Sequence, residues 1–214
     1  MIAVMKPFAA LGLSLLACLA VRAHELPKDM PARKPGLWEF VTTGTDGTNQ
    51  IETRRQYCLD ADADRALHRL AILRMELSVI YVGLGCQPAR VAADGKTVVG
   101  EMACRADAPD DSEAAGKDFR WKLAFESDRE VVGEEHGVAR GGSMAGDTVM
   151  HERQRWIGPC EAGQQPGDGT DFGTRYNGGK PFTEPQPDNI QESVRVLDKM
   201  LKEGTAINRR LGPM

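Results

Sequence analysis

The sequence predicts a mainly β fold, an antiparallel curved sheet or barrel-like form, with one early helix and a C-terminal amphipathic helix. Three observations carry that expectation. Short segments of period-two alternation recur along the chain, separated by glycine- and aspartate-rich corners. Helical spacing appears in only two places, one early and one near the C-terminus. Four cysteines, Cys58, Cys86, Cys104 and Cys160, follow an export signal, which points to a disulfide frame outside the reducing cytosol.

Residues 1–23 read as a Sec signal peptide. Lys6 supplies the positive start, residues 8–20 are almost unbroken apolar, and Val21 and Ala23 are the small residues a signal peptidase inspects, so the mature chain is expected to begin at His24. The apolar run is short for a bilayer span and no other follows it, so no transmembrane segment is expected after signal removal. A periplasmic or secreted location follows. The alternative is a lipid anchor through Cys18, with residues 15–18 as a lipobox, which Leu16 and the apolar residues after Cys18 fit poorly. The chain carries 27 Lys and Arg against 31 Asp and Glu, a net charge of −4. It has no basic stripe and no aromatic-interleaved cluster, which excludes a nucleic-acid partner.

Residues 24–34 hold Pro27 and Pro31, with Pro35 next, and read as an extended leader. The β domain is expected to span 35–160. Its first strand, 37–43, places Trp38 and Phe40 on one face; Asp46-Gly47 is a turn, and 51–57 returns as the second arm of a hairpin. Residues 60–75 switch to helix spacing behind an acidic start, while 77–84 fits either more helix or a buried strand. The clearest hairpin joins 86–92 to 96–104 around Asp94-Gly95. A strict two-residue loop sets Cys86 against Ala103, and a one-residue bulge sets it against Cys104. That register favours Cys86–Cys104 and leaves Cys58–Cys160, although four cysteines allow three connectivities.

Residues 107–113 are an acidic loop, after which Phe119, Trp121, Leu123 and Phe125 alternate strictly with polar residues. Segments 130–138 and 148–157 pair across the corner at 141–146, giving seven or eight strands in all. Beyond Cys160 the glycine- and proline-rich stretch 161–187 reads as a flexible linker. Residues 188–204 form the amphipathic helix, with Asp188 and Gln191 as a cap-like start, Ile190, Val194, Leu197 and Leu201 on one stripe, and Gly204 as a stop. A tail, 205–214, ends the chain. The helix either docks on its own domain, which the instability of a lone short helix favours, or lies in a partner's groove.

Several short motifs in order carry a family resemblance. Pro35-Gly36-Leu37-Trp38-Glu39 opens the domain, Gln56-Tyr57-Cys58-Leu59 follows, Cys86 and Cys104 flank a hairpin, and Trp156-Ile157-Gly158-Pro159-Cys160 closes it. In these the chain resembles a bacterial exported family known as domain of unknown function 3617, over about residues 34–160. The resemblance implies an envelope location and a disulfide frame. It implies no reaction and no catalytic residue. The chain departs from that pattern in the helical stretch at 67–82 and in the segment after Cys160.

Candidate chemistry is sparse. Asp60, Asp62 and Asp64 imitate half a calcium loop, but Arg65 and Ala71 stand where glycine and glutamate are required, and an acidic helix start explains them. His136 and His151 are the candidate metal ligands: a corner centred between Ser143 and Met144 sets them opposite each other, with Glu134 and Met150 or Glu152 beside them. The Ser143 corner lacks the strand-then-helix order of a nucleophile elbow. No Cys-x-x-Cys and no phosphate-cradling glycine loop is present, so the cysteines read as structural and no cofactor is expected. Trp38, Trp121 and Trp156 read as core. The function expected is therefore an exported β-rich domain that binds an apolar small molecule, a lipid or an envelope protein, without catalytic residues. The alternative is a metal-handling or small hydrolytic enzyme using His136 and His151.

Overall fold

The structure, a computed structural model, describes residues 26–46, 48–80, 84–106, 116–140, 147–181 and 183–211. The expected signal peptide, Cys18, the expected acidic loop at 107–113 and the expected corner at Ser143 lie outside the described residues. Strands β1 (Gly36–Asp46) and β2 (Asn49–Leu59) form the first hairpin and lead into helix α1 (Ala61–Ile80). Then come β3 (Leu84–Cys86), β4 (Arg90–Asp94), β5 (Thr97–Ala106), β6 (Gly116–Ser127), β7 (Glu130–Arg140), β8 (Thr148–Gly158), β9 (Asp168–Tyr176), β10 (Gln186–Asn189) and α2 (Ile190–Leu211). Ten strands make one antiparallel sheet in the order β10-β9-β2-β1-β8-β7-β6-β5-β3, with β4 also on β5. The sheet is open: β10 ends it on one side and β3 on the other.

Alternation fixes its two faces. Trp38, Phe40, Tyr57, Val98, Phe119, Phe125 and Val131 point inward and are buried, while Arg54, Arg120, Lys122, Arg153 and Arg155 occupy the outer positions between them. Helix α1 packs on the inner face. It starts where Asp60 accepts a hydrogen bond from the Ala63 amide at 2.8 Å, and it runs to Ile80, so the first half of the ambiguous 77–84 stretch is helix. One flank, Ala63 and Leu70, joins the cluster of Trp38, Phe40, Tyr57 and Phe125. The other, Ile72, Met75 and Val79, joins Met102, Cys104 and Phe119. Leu73 and Ile80 meet Leu201 of α2, so the C-terminal helix docks on its own domain.

Both expected disulfides are present, Cys86–Cys104 and Cys58–Cys160. Cys86 pairs directly with Cys104 in the sheet. The turn beside them differs by one residue from the expectation: Asp94 pairs with Thr97, so Gly95 and Lys96 form the corner, with Gly95 at φ 56°. The family-like motifs converge at the start of β1. Cys58 and Gly158 both pair with Leu37 from opposite sides, and the Cys58–Cys160 bridge ties β2 to the segment leaving β8. Trp156 donates its indole N–H to the Pro35 carbonyl at 3.1 Å, and Trp38 donates to that of Lys34 at 2.8 Å. A side chain at Gly36 would occupy the space of the Trp156 indole, which is why only glycine fits there.

Two expectations on the C-terminal side are corrected. Residues 161–187 are not a linker throughout: they contain β9, which pairs with the free edge of β2, and the first half of β10, which pairs with β9. Strand identity here comes from the edge it joins. Gly169 leaves room for the Tyr57 ring to lie against the backbone, and Arg55 donates to Asp171 at 2.8 Å. The last helix begins at Ile190 and does not stop at Gly204, so the expected tail is helical to Leu211. Its cap is Asn189, which accepts from the Glu192 amide at 3.0 Å, leaving Asp188 free to serve the core.

Candidate functional site

Between α1 and the concave sheet lies a cleft of about 400 Å³. Its origin is local. Leu67, Ala71, Arg74 and Ser78 fall on one stripe of α1, spaced three and four residues apart, and all four line the cleft. The stripe lies between the two flanks that grip the sheet. Ala71 within it and Ser78 at its end are small and exposed, so the helix stands over the sheet there without filling the space. Opposite it, the sheet contributes Phe40, Ile51, Phe119, Trp121, Leu123 and Met150. Trp121 lies flat on Gly100 of the neighbouring strand, where any side chain would collide with the ring. The expectation that Trp121 is plain core is thus refined: its ring is part of the cleft wall.

Charged groups line the same space, and most are already paired. Arg33, at 6% exposure one of the most deeply buried cations, binds Asp64 and Gln154 and donates to His68 Nε2 at 3.1 Å. The Asp60-x-Asp62-x-Asp64 run therefore supplies a helix cap at Asp60 and an ion-pair partner at Asp64. Burial, together with the charges of Arg33 and Arg65, pushes the His68 pKa well below the usual imidazole range. At the other end, Tyr57 donates to Asp188 at 2.5 Å, and Arg74 stands 3.4 Å from the same carboxylate. Burial pushes the Tyr57 hydroxyl up to about 12, against the opposing charge of Arg74. Although burial alone would raise Asp188, its hydrogen bonds from Tyr57 and Ser193 and the charge of Arg74 hold it below the usual carboxylate range.

Two further carboxylates face the cleft. Glu135 stands opposite Trp121 on β6 and Met150 on β8; Glu152 is the next inward residue along β8. Glu152 accepts from Gln154 at 2.8 Å. Burial, reinforced by the Glu152 charge and opposed by Lys117, raises the Glu135 pKa. Sequence reading missed Glu135 and placed Glu152 beside the histidines, not in a cleft. The available signal was phase: Glu152 and Gln154 alternate with Arg153 and Arg155 in step with Trp156, which marks them as inward.

The expected metal ligands lie elsewhere. His136 pairs with Val149 and His151 with Glu134, two residues away from the anticipated register, so the two histidines do not face each other. Both are on the outer face, away from the cleft. His136 bonds Glu134, which is held below the ordinary carboxylate range by that contact. Among the described residues no group of three or more His, Cys, Asp or Glu is placed to hold a metal ion, and no helix is long and apolar enough to cross a membrane. Comparison with known proteins finds no match among curated proteins or among solved structures. A family model does match, over residues 33–160, from the buried Arg33 to the closing Cys160, and its description is a protein of unknown function. The chain belongs to that family, DUF3617.

Proposed function

We propose that the protein is an exported, periplasmic or secreted binding domain whose cleft takes a small, largely apolar molecule or lipid. One observation carries this reading: Ala71 and Ser78 of α1 line a cleft walled by aromatic and aliphatic sheet residues and remain exposed within it. The volume, about 400 Å³, lies within the range of about 300–1,000 Å³ that small-molecule sites occupy. An envelope protein inserting a chain segment is the less economical occupant, because the space lies between helix and sheet and is not laid out as a groove along an edge. The two disulfides and the signal-like N-terminus support an oxidising compartment.

The reading is one of binding, not catalysis. His68 lines the cleft, but its Nε2 faces the Arg33 guanidinium, which takes up the lone pair a general base would need. The test is titration of the full mature protein with N-phenylnaphthylamine, an uncharged aromatic probe. Saturable binding at one probe per chain is expected, together with its loss in Ala71→Trp, which fills the cleft from an exposed helix position. Equal binding by the wild type and Ala71→Trp would remove the cleft as the site.

A further inference from the structure

We propose that the cleft selects an amphiphile with an amine head, seated against Glu135 and Glu152 with its alkyl body along the Trp121 and Phe119 wall. This rests on the binding function proposed above and names the ligand class. The argument is one of charge balance. Four cations line the cleft, and three are each paired with an aspartate: Arg33 with Asp64, Arg55 with Asp171 and Arg74 with Asp188, Arg55 also sensing the Glu152 charge. The fourth, Lys117, is the remaining cation for two carboxylates. Its ammonium is held at 3.0 Å from the Thr148 hydroxyl and at 5.3 Å from the Phe119 ring. Glu152 takes one hydrogen bond from Gln154, and among the described residues no hydrogen bond engages the Glu135 carboxylate.

Two acidic groups beside one cation not already paired with an aspartate, in a partly desolvated space, favour the entry of a further positive charge. Burial first, and the Glu152 charge second, raise the Glu135 pKa against the opposing charge of Lys117. Trp121, paired with Glu135 across the strands, carries its ring over Gly100 on β5, so its face serves the alkyl body and the carboxylates serve the head. A carboxylate head in the same position would instead meet two like charges.

Decylamine, decanol and decanoate share one chain and differ in the head, so calorimetric titration of the full mature protein below their micelle concentrations separates head from body. A charge-assisted bond to a half-buried carboxylate predicts decylamine binding about tenfold tighter than decanol. The preference should disappear in Glu135→Gln/Glu152→Gln while decanol affinity stays the same. Equal affinities for the three heads, tightest binding of decanoate, or an amine preference that survives the double substitution would each overturn the assignment. So would silence of all three ligands while N-phenylnaphthylamine still binds, and the cleft itself would then stand. Should the probe also fail to bind, both proposals fall. The wild-type comparison decides even if the double variant does not fold.

Discussion

Removing the Cys58–Cys160 bridge should destabilise the domain more than removing Cys86–Cys104, and the reason lies in the unfolded chain. The two bridges close sequence separations of 102 and 18 residues. In the chain-entropy model these correspond to about 4.7 and about 3 kcal/mol. The short loop is nested inside the long one, so with both present the outer loop is shortened by the inner. The dependence on length is logarithmic, and this changes the outer figure by only a few tenths of a kcal/mol. For a domain of this size about 1 kcal/mol moves Tm by about 2–4 °C. Cys58→Ala/Cys160→Ala should therefore lower Tm by about 10–19 °C, and Cys86→Ala/Cys104→Ala by about 6–12 °C. Circular dichroism melts of both double variants and the wild type, without reductant and at one pH, measure the order. Alanine is the appropriate replacement because Cys58 and Cys104 are 2% and 0% exposed and serine would bury a hydroxyl. If the Cys86–Cys104 deletion proves the more damaging, loop entropy is not what these bridges contribute.

Arg33→Met should cost about 3–5 kcal/mol, since it strands the Asp64 carboxylate in the interior, and Arg33→Met with Asp64→Asn should recover much of that loss in urea unfolding. Gly100→Val places a side chain in the Trp121 ring and should cost about 1–3 kcal/mol, with a shift in Trp121 emission if the ring is driven off the strand. The acid limb of stability should depend on Asp188: its folded pKa is depressed, so its contribution is present above the ordinary carboxylate range and lost as pH falls through the folded value. Asp188→Asn should flatten that limb in urea titrations taken from neutral to acid pH. Glu135 has the opposite sign, because its folded pKa is raised and stability declines as pH rises through it; Glu135→Gln should leave the protein as stable or more stable near neutrality.

What could be read from the residues follows from where the signal is local. The β6 alternation, the α1 spacing and the Cys86–Cys104 register each depend on contacts within a few residues or across one hairpin, and each is legible. β9 is not, because Gly169 and Gly173 give it no apolar phase and its pairing partner, β2, lies more than a hundred residues earlier. The His136–His151 register fails for a related reason. A long glycine-rich corner fixes no count, and a shift of two residues keeps every side chain on its own face, so the hydrophobic pattern cannot detect it. The cleft is illegible in another way. It is made by what Ala71 and Ser78 lack, and the pattern of a helix says which face is apolar, not whether its partner surface touches it.

The charges in the cleft can be understood through the space itself. A dry apolar void costs about 24 cal/mol per Å³, so one of about 400 Å³ would forfeit on the order of 10 kcal/mol. That is comparable to the whole stability of a domain, about 5–15 kcal/mol. A chain with few aromatic residues, 6% of the total, has no surplus core to offset such a loss. The space is therefore tolerable only if water occupies it, and water requires polar partners on the walls. Glu135, Glu152, Lys117 and Thr148 provide them at one end, and Arg74 and Ser78 at the other. The groups proposed to choose the ligand's head are thus the ones that let the unliganded domain exist. Replacing them all with apolar residues should collapse the helix onto the sheet and close the cleft, not produce a greasier site.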